Sequence, residues 1–248
     1  MRALGSDAHA VVFDLEAAVA PGRKAQARAE VRAALDLARG ERLGIVRVNP
    51  VIGNEVVLDA AMLRGSRCDA VILSMVESAA DVERFRHLLR DLPVIALVET
   101  AAGVVAANEI ARADGVERLA FGNMDYQTDT STSGPLAAVY PASVLVVASR
   151  AAGLPAPIAG VTAAFRDSGQ LQRDLQLEQS LGFGAKFCIH PDQIAPIVAA
   201  WSVSAAAVAW AERVLTAARD SHAVEVDGEL VDRPVIERAQ RLLARVRR

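Results

Sequence analysis

The chain has few aromatic residues and only two cysteines, and its charge is nearly balanced. Aromatics make up 4% of the 248 residues, so a core must be mostly aliphatic. Cys68 and Cys188 are too few for a disulfide framework, which favours a reducing compartment. The N-terminus lacks the apolar stretch of a signal peptide, and no apolar run approaches the roughly 20 residues of a membrane span. With a net charge of −3, we expect a cytoplasmic protein without nucleic-acid or membrane partners.

Short apolar runs that end in polar or charged residues recur along the chain. Such runs are typical of parallel strands that are covered on both faces, and the stretches between them have helical periodicity. The seven runs are Val11–Glu16, Ile45–Asn49, Val71–Glu77, Val94–Glu99, Leu119–Asp125, Ile158–Thr162 and Phe187–His190.

Strands that alternate with helices predict an α/β fold, specifically a TIM-type β/α barrel with its site at the C-terminal ends of the strands. An open doubly wound sheet is the alternative, but its Gly-rich turn is absent after the first run, which continues DLEAAVAPG. A complete barrel has eight strands. The sequence supplies seven, so either the start has been lost, or the barrel is open at one seam, or a later strand has been missed.

The C-terminal part of the chain has a different pattern. Helical stretches are followed by VEVDGELV, whose Asp227–Gly228 pair between alternating apolar residues predicts a β-hairpin. A last helix follows Pro234. Because an isolated hairpin is barely stable, we expect it to pack on the barrel or on another subunit. The predicted organisation is a barrel core over residues 1–201 and a helix–hairpin–helix extension over residues 202–248.

The polar strand ends place several carboxylates and one arginine at one rim. Carboxylates gathered there would repel one another without a cation, and oxygen ligands without a Cys or His cluster favour Mg²⁺. Arg47 could hold a substrate carboxylate or an enolate oxygen. The rim residues are Asp14, Glu16, Arg47, Asn49, Glu77, Glu99, Asp125 and His190.

These segments resemble the citrate lyase beta-subunit-like proteins of the HpcH/HpaI aldolase superfamily. The resemblance runs from about Ala8 to the C-terminus, and it depends on the order and spacing of blocks that are individually weak. The matching blocks are DLEAAVAPGRKAQAR, VRVNP, VESAADVERF, ALVETAAGV, FGNMD, SRAAGLPAPIAGVTAAFRD, LGFGAKFCIHPDQI and VDGELVDRPVIERA.

The resemblance implies a magnesium-dependent lyase that cleaves or forms 3-hydroxyacyl-CoA thioesters such as citryl-, malyl- or citramalyl-CoA. It implies that Glu99 and Asp125 bind the metal and that Arg47 contacts the oxo acid or the thioester oxygen. Glu16 would orient metal-bound water. The backbone amides of the following turn would hold the carboxylate of the small acid; that turn comprises Gly122, Asn123 and Met124.

The resemblance also implies partners: a homo-oligomer, trimeric or hexameric, and in a related version a thioester carried by an acyl carrier protein. Several positions depart from the family pattern. The opening RSxLFxPG unit is absent, so the resemblance implies a TIM-type barrel that lacks its first β/α unit. Ala17 replaces the second Asp of DLED, and Ser74 and Met75 replace the Pro and Lys of LPKVE.

Two alternative functions stay open at this stage. The first is a degenerate barrel that binds an oxo acid or a partner without turnover, which the departures at Ala17 and Met75 favour. The second is a metal-dependent pyruvate aldolase without CoA. Its relatives use an early histidine as a base, and His9 is the only early histidine here.

Overall fold

The computed structural model describes residues 5–37, 40–218 and 224–246. It divides the chain into two units, residues 1–198 and 199–248. The sequence-based boundary after Trp201 lies slightly further along the chain. Each unit is described by itself.

The first unit is built on a single sheet of seven parallel strands in the order of the sequence, β1 to β7. Within the described residues β1 and β7 are the edges of the sheet, so the barrel is open at one seam. The expected α/β barrel with seven strands is confirmed. The strands are β1 (Ala10–Asp14), β2 (Leu43–Val48), β3 (Ala70–Leu73), β4 (Val94–Val98), β5 (Val116–Phe121), β6 (Ile158–Ala159) and β7 (Ala185–Lys186).

Helices follow the strands along the chain. They are α1 (Lys24–Leu35), α2 (Glu55–Leu63), α3 (Ala79–Leu88), α4 (Ala101–Val105), α5 (Ala107–Ile110), α6 (Asn123–Asp129), α7 (Val139–Ala151), α8 (Ser168–Leu181) and α9 (Ile194–Trp201), with 3₁₀ turns at Pro21–Arg23, Pro135–Ala138 and Pro191–Gln193. Side-chain oxygens cap several of them. Ser78, Thr100 and Asp167 accept backbone N–H groups at the starts of α3, α4 and α8, which fixes where each loop ends and each helix begins.

Aliphatic side chains fill the interior of the curled sheet. Strands β2 to β6 contribute the buried members of this cluster, which are Ile45, Ile72, Ile95, Leu97, Ala120 and Ile158. Ala10 of β1 and Ala185 of β7 pack against the same cluster although they lie on opposite edges of the sheet. Both edges therefore line one interior, as the curvature of a barrel requires.

Two sequence expectations need correction here. The seventh strand comprises Ala185–Lys186 rather than Phe187–His190, although the N–H of Phe187 still donates to the carbonyl of Ala159 (2.9 Å). Helix α2 was not expected, because its apolar residues follow Asn54 without a clear stripe.

The second unit contains α10 (Ala205–Ala217), a hairpin of β8 (Val224–Val226) and β9 (Glu229–Val231), and α11 (Arg233–Val246). The hairpin is confirmed, and its turn residues Asp227 and Gly228 have the positive φ angles of a tight turn. The hairpin also packs within its own unit. Val231 joins Ala211, Val214 and Ala239 in a small core of the unit itself.

One stretch, Pro191–Ala217, is long and apolar enough to span a membrane by length and composition, with a mean hydropathy of 1.7 and 6% of its window buried. The expectation that no segment approaches such a length is therefore wrong. The helical pattern is interrupted between Trp201 and Ala205, where Ser204 caps α10 by accepting the N–H of Ala207 (3.1 Å). By itself one such stretch is weak evidence for a membrane segment.

Candidate active site

Arg47 and Asp14 are paired neighbours at the C-terminal ends of β2 and β1. The guanidinium donates from Nε to Asp14 Oδ1 (2.8 Å) and from Nη2 to Asp14 Oδ2 (2.6 Å), and Nη1 lies 3.1 Å from Glu16 Oε2. A guanidinium carries five N–H groups, so this arrangement fixes its plane and leaves two N–H groups for a ligand.

The Asp14 carboxylate is held by the backbone as well as by Arg47. It accepts the N–H of Glu16 (2.8 Å) and of Ala18 (3.0 Å). Burial favours the protonated form, but the hydrogen bonds from Arg47 and from these amides outweigh burial and lower the pKa of Asp14. Asp14 is therefore a fixed anion that orients Arg47.

Glu99 is the most perturbed carboxyl group at this rim. It lies between the end of β4 and Thr100, the cap of α4, and it is 3% exposed. Burial, together with the negative charges of Asp125 and Glu16, raises the pKa of Glu99 to about 8. The N–H of Met75, which donates to Glu99 Oε1 (2.8 Å), and the charge of Arg47 oppose this increase. A buried carboxyl beside two other anions is a site that a cation would stabilise.

The turn between β5 and α6 brings Asp125 to the same rim. Strand β5 ends at Phe121 and α6 begins at Asn123, so Asp125 lies in the first helical turn, where the helix dipole favours a carboxylate. Met124 and Asp125 are exposed. The structure thus brings together the predicted residues Glu16, Arg47, Glu99 and Asp125.

The expectation for Gly122 needs correction. Its N–H donates to the carbonyl of Val98 (2.9 Å), so it is not available to a substrate carboxylate. A Cβ at this position would collide with the Glu99 carboxylate. Gly122 therefore contributes close packing against Glu99, whereas Asn123 and Met124 are the first residues of α6, where amides have no acceptor within a helix.

The Asn123 side chain joins α6 to the loop after β6. Its Oδ1 accepts the N–H of Val161 (3.0 Å) and its Nδ2 donates to the Val161 carbonyl (3.1 Å). Gly160 makes room for this contact, because a Cβ there would overlap Asn123 Oδ1. The carboxamide is thus already engaged and serves to hold the rim loop in place.

We expect Gly160→Ala to lower the free energy of unfolding by about 1–3 kcal/mol, because overpacking would displace Asn123 from Val161. The melting temperature should fall by several degrees. Gly22→Ala is the control, since a Cβ at Gly22 would meet no atom within 4 Å. Equal melting temperatures for the two variants would contradict this interpretation of Gly160.

Two other rim residues have structural roles. Glu77 is exposed, and its N–H donates to Asp81 Oδ2 (3.1 Å) at the start of α3. His190 accepts the N–H of Asp192 through Nδ1 (3.3 Å) and stacks on Phe165.

Two lysines and one histidine have defined positions relative to the rim. Lys186 donates to the Gly160 carbonyl (2.8 Å) and pairs with Glu178. His9 precedes β1 and therefore lies at the opposite end of the strands from the carboxylates. The sequence motifs did not predict a role for Lys24, which donates to backbone carbonyls of the β1–α1 loop. Its signal was the rarity of lysine, since Lys24 and Lys186 are the two lysines among 27 basic residues.

The described residues contain no group of three or more His, Cys, Asp or Glu side chains that could hold a metal ion. Glu99 and Asp125 are the pair that could do so. Mg²⁺ can be bound by two carboxylates when substrate oxygens and water complete its coordination. Two carboxylates are not sufficient for an ion whose ligands must all come from the protein. The donor set, hard oxygens beside a buried anion, fits such an ion.

Comparison with protein families agrees with this geometry. Residues 2–191 match the model described as HpcH/HpaI aldolase/citrate lyase. The chain belongs to this family. A (3S)-malyl-CoA thioesterase of Cereibacter sphaeroides (strain ATCC 17025 / ATH 2.4.3) is 34% identical over 253 residues, which cover 98% of this chain and 88% of the relative. A citrate lyase subunit beta-like protein of Mycobacterium tuberculosis is 33% identical, with 96% of this chain and 88% of the relative covered.

Solved structures of the same family are also similar. The CitE protein of Mycobacterium tuberculosis, in complex with magnesium, acetoacetate and coenzyme A, superposes with a TM-score of 0.82 at 32% identity, covering 96% of this chain and 90% of that chain. A complex of the citrate lyase beta subunit from the same organism with oxaloacetate and magnesium has a TM-score of 0.69 at 31% identity, covering 77% and 86%. The resemblance seen in the sequence is confirmed.

Proposed function

We propose that the protein is a magnesium-dependent carbon–carbon lyase acting on a 3-hydroxyacyl-CoA thioester such as citryl-, malyl- or citramalyl-CoA. The observation that carries this proposal is the buried Glu99 carboxyl, which faces Asp125, Glu16 and Arg47 at the C-terminal rim. Family members include enzymes of CoA thioesters, and the similar CitE structure contains magnesium, an oxo acid and coenzyme A together.

In this proposal Glu99 and Asp125 hold the metal, and Arg47 binds substrate. The bound ion would supply Lewis-acid polarisation of the hydroxyl or oxo oxygen of the acid portion. Arg47, held in plane by Asp14, donates its two remaining N–H groups to the enolate oxygen that develops on the acyl thioester. The hydroxyl group loses its proton, the bond between C2 and C3 breaks, and C3 becomes the carbonyl of the oxo acid. The electron pair of that bond forms the thioester enolate, which takes up a proton at C2 to give acyl-CoA.

Glu16 has a supporting role in this proposal. Its carboxylate lies beside Arg47 (3.1 Å) and raises the pKa of Glu99, so it is close enough to both groups to orient water on the metal. The first residues of α6, Asn123 and Met124, offer amide N–H groups to the carboxylate of the acid.

Thioester hydrolysis is the second candidate, because a 34% identical relative is a (3S)-malyl-CoA thioesterase. The same binding groups would serve both reactions, since each needs the thioester oxygen stabilised. The reactions differ in the bond that breaks and therefore in their products. A pyruvate aldolase that uses His9 as its base is not supported, because His9 lies at the other end of β1.

One assay separates these functions. Citryl-, malyl- and citramalyl-CoA are each incubated with the protein and Mg²⁺, then with EDTA in excess. We expect oxo acid and acyl-CoA in equal amounts, without free thiol, and loss of turnover with EDTA. Free CoA thiol with the intact hydroxy acid would establish hydrolysis instead. Binding without either product would favour a non-catalytic barrel, and products that persist in EDTA would refute metal dependence.

We further propose that the protein acts in the cytoplasm as a homo-oligomer. Cys68 and Cys188 are not joined by a disulfide, as in a reducing compartment, and the apolar stretch Pro191–Ala217 is mostly unburied within one chain, as surfaces that associate often are. Light scattering on the purified protein tests the oligomer. A parallel assay with the same acids on acyl carrier protein tests whether that partner replaces CoA.

A further inference from the structure

Lys24 makes a complete set of hydrogen bonds directly behind the proposed active site. Its Nζ donates to the carbonyls of Leu15 (2.7 Å) and Glu16 (2.8 Å) and to Asn49 Oδ1 (2.7 Å). An ammonium group has three N–H donors, so each has one acceptor. Lys24 begins α1, whereas Leu15 and Glu16 belong to the loop after β1 and Asn49 follows β2.

The acceptor Asn49 is itself held by a buried chain of polar groups. Its Nδ2 donates to Asp59 Oδ2 (2.7 Å) and to the Leu15 carbonyl (2.9 Å), and its N–H also donates to Asp59 Oδ2 (2.9 Å). Asp59 is fully buried and accepts Arg28 Nε at 2.6 Å. Helices α1 and α2 are thus connected through fixed polar contacts to the loop that carries Glu16.

The Leu15–Glu16 backbone is held from the opposite side by Arg47 and its partner. The N–H of Leu15 donates to the Arg47 carbonyl (2.9 Å), and the N–H of Glu16 donates to Asp14 Oδ1. Removing the ammonium group would take one of two donors from each carbonyl, since Leu15 would keep Asn49 Nδ2 (2.9 Å) and Glu16 would keep the N–H of Val19 (3.1 Å). The Glu16 carboxylate would then lose its fixed place beside the Arg47 guanidinium.

The identity of the residue supports a specific requirement for lysine. The chain contains two lysines among its 27 basic residues, and both place Nζ against backbone carbonyls in confined sites. A compact ammonium can donate to three converging acceptors, whereas the planar guanidinium suits two parallel ones. Arginine, which this chain uses almost everywhere else, spreads its donors over a plane, whereas Leu15, Glu16 and Asn49 all accept from one nitrogen.

We propose that Lys24 is a positioning residue that fixes the Leu15–Glu16 segment, and with it the placement of the Glu16 carboxylate beside Arg47 at the metal-binding rim. The part of this inference that concerns catalysis rests on the proposed function. The part that concerns the segment itself does not, and it can be measured without turnover.

Arg32 provides a matched control on the same helix. Its guanidinium also donates to three backbone carbonyls, those of Met62 (2.9 Å), Arg64 (3.0 Å) and Gly65 (3.0 Å). Met62 lies in the last turn of α2, and Arg64 and Gly65 follow that helix. Lys24→Met and Arg32→Met therefore each remove a cation and its carbonyl contacts from α1, but only the first touches the rim.

The experiment compares both variants with the unaltered protein by hydrogen–deuterium exchange and by titration with Mg²⁺ in the presence of oxaloacetate. In Lys24→Met we expect the amides of residues 15–18 to exchange at least about tenfold faster and the apparent affinity for Mg²⁺ to fall by about tenfold or more. Arg32→Met should leave both quantities within about twofold. Lys24→Gln, which keeps a donor but loses the charge, is measured in parallel in case the methionine variant does not fold.

The outcomes separate this inference from the proposed function. Unchanged exchange at residues 15–18 in the Lys24 variants would overturn the inference, as would an equal loss of Mg²⁺ affinity in Arg32→Met. If the unaltered protein neither binds Mg²⁺ with oxaloacetate nor turns over a thioester, the proposed function fails. The exchange measurement then still decides whether Lys24 fixes the Glu16 segment.

Discussion

Glu99→Gln is expected to abolish metal-dependent activity while making the metal-free protein more stable above neutral pH. Glutamine keeps the shape of the side chain and can still accept the Met75 N–H, but it cannot offer the anionic oxygen that Mg²⁺ prefers. We expect the affinity for Mg²⁺ to fall by about 100-fold or more and kcat to become undetectable. Calorimetric titration and the turnover assay measure the two effects.

The gain in stability follows from the direction of the pKa shift. The folded protein holds the Glu99 pKa at about 8, above its ordinary value of 4.5, so between these values the folded state binds more protons than the unfolded state. Stability of the metal-free protein therefore falls as pH rises through this window. Above pH 8 the full cost applies, and it is on the order of a few kcal/mol. Glu99→Gln removes this dependence.

Melting temperatures between pH 5 and 9, with and without Mg²⁺, test this expectation. Without metal, the unaltered protein should lose stability towards pH 9 relative to Glu99→Gln, and Mg²⁺ should restore it only where Glu99 is present. Glu77→Gln is the control, because Glu77 is an exposed carboxylate at the same rim. Retained Mg²⁺ affinity in Glu99→Gln would contradict the metal assignment of Glu99, and identical pH profiles without metal would contradict its raised pKa.

The strand pattern predicted the architecture well because buried parallel strands leave a direct trace in sequence. Their continuous apolar runs placed Arg47 and Glu99 correctly at strand ends, where the order of parallel strands brings them to one rim. The shorter strands were less certain. For β7, two paired residues carry the strand, and the apolar residues that follow them in sequence gave a misleading boundary.

The hydrogen-bonding partners of the site could not be predicted in the same way. The N–H of Gly122 donates to Val98, and Lys24 Nζ donates to three acceptors. Both arrangements depend on the positions of backbone atoms in three dimensions. A residue motif records which side chains are present, but it does not record whether their donors are already used. The structure therefore changed the interpretation of Gly122 from an anion-binding amide to a close contact with Glu99.

Two carboxyl groups at the site have pKa values that are shifted in opposite directions. Asp14 is stabilised as an anion by Arg47 and two amides, so its pKa is lowered, whereas burial and like charges raise the pKa of Glu99. One carboxylate thus orients the arginine permanently, and the other is poised to gain a cation. This difference between two carboxyl groups at one rim is a feature that functional sites often show.

Arg47→Lys is expected to lower kcat by about 100-fold or more, although it preserves the charge. Lysine cannot reproduce the paired hydrogen bonds to Asp14 together with the contact to Glu16, so its ammonium would be drawn to one carboxylate and away from the developing enolate. Loss of one such donor typically costs about 10²–10³-fold in rate. Because Glu99 and Asp125 are unchanged and a cation still lies beside the rim carboxylates, the affinity for Mg²⁺ should fall much less than kcat does.

Steady-state kinetics with the thioester that the turnover assay identifies, together with Mg²⁺ titration, separate these two quantities. Arg84→Lys is the control, since Arg84 also pairs with an aspartate, Asp81 at 3.4 Å, but the Arg84 side chain is exposed to solvent, where such pairs contribute little. A kcat within twofold of the unaltered protein for Arg47→Lys would show that only the charge matters. The fixed plane that Asp14 imposes on the guanidinium would then have no part in the reaction.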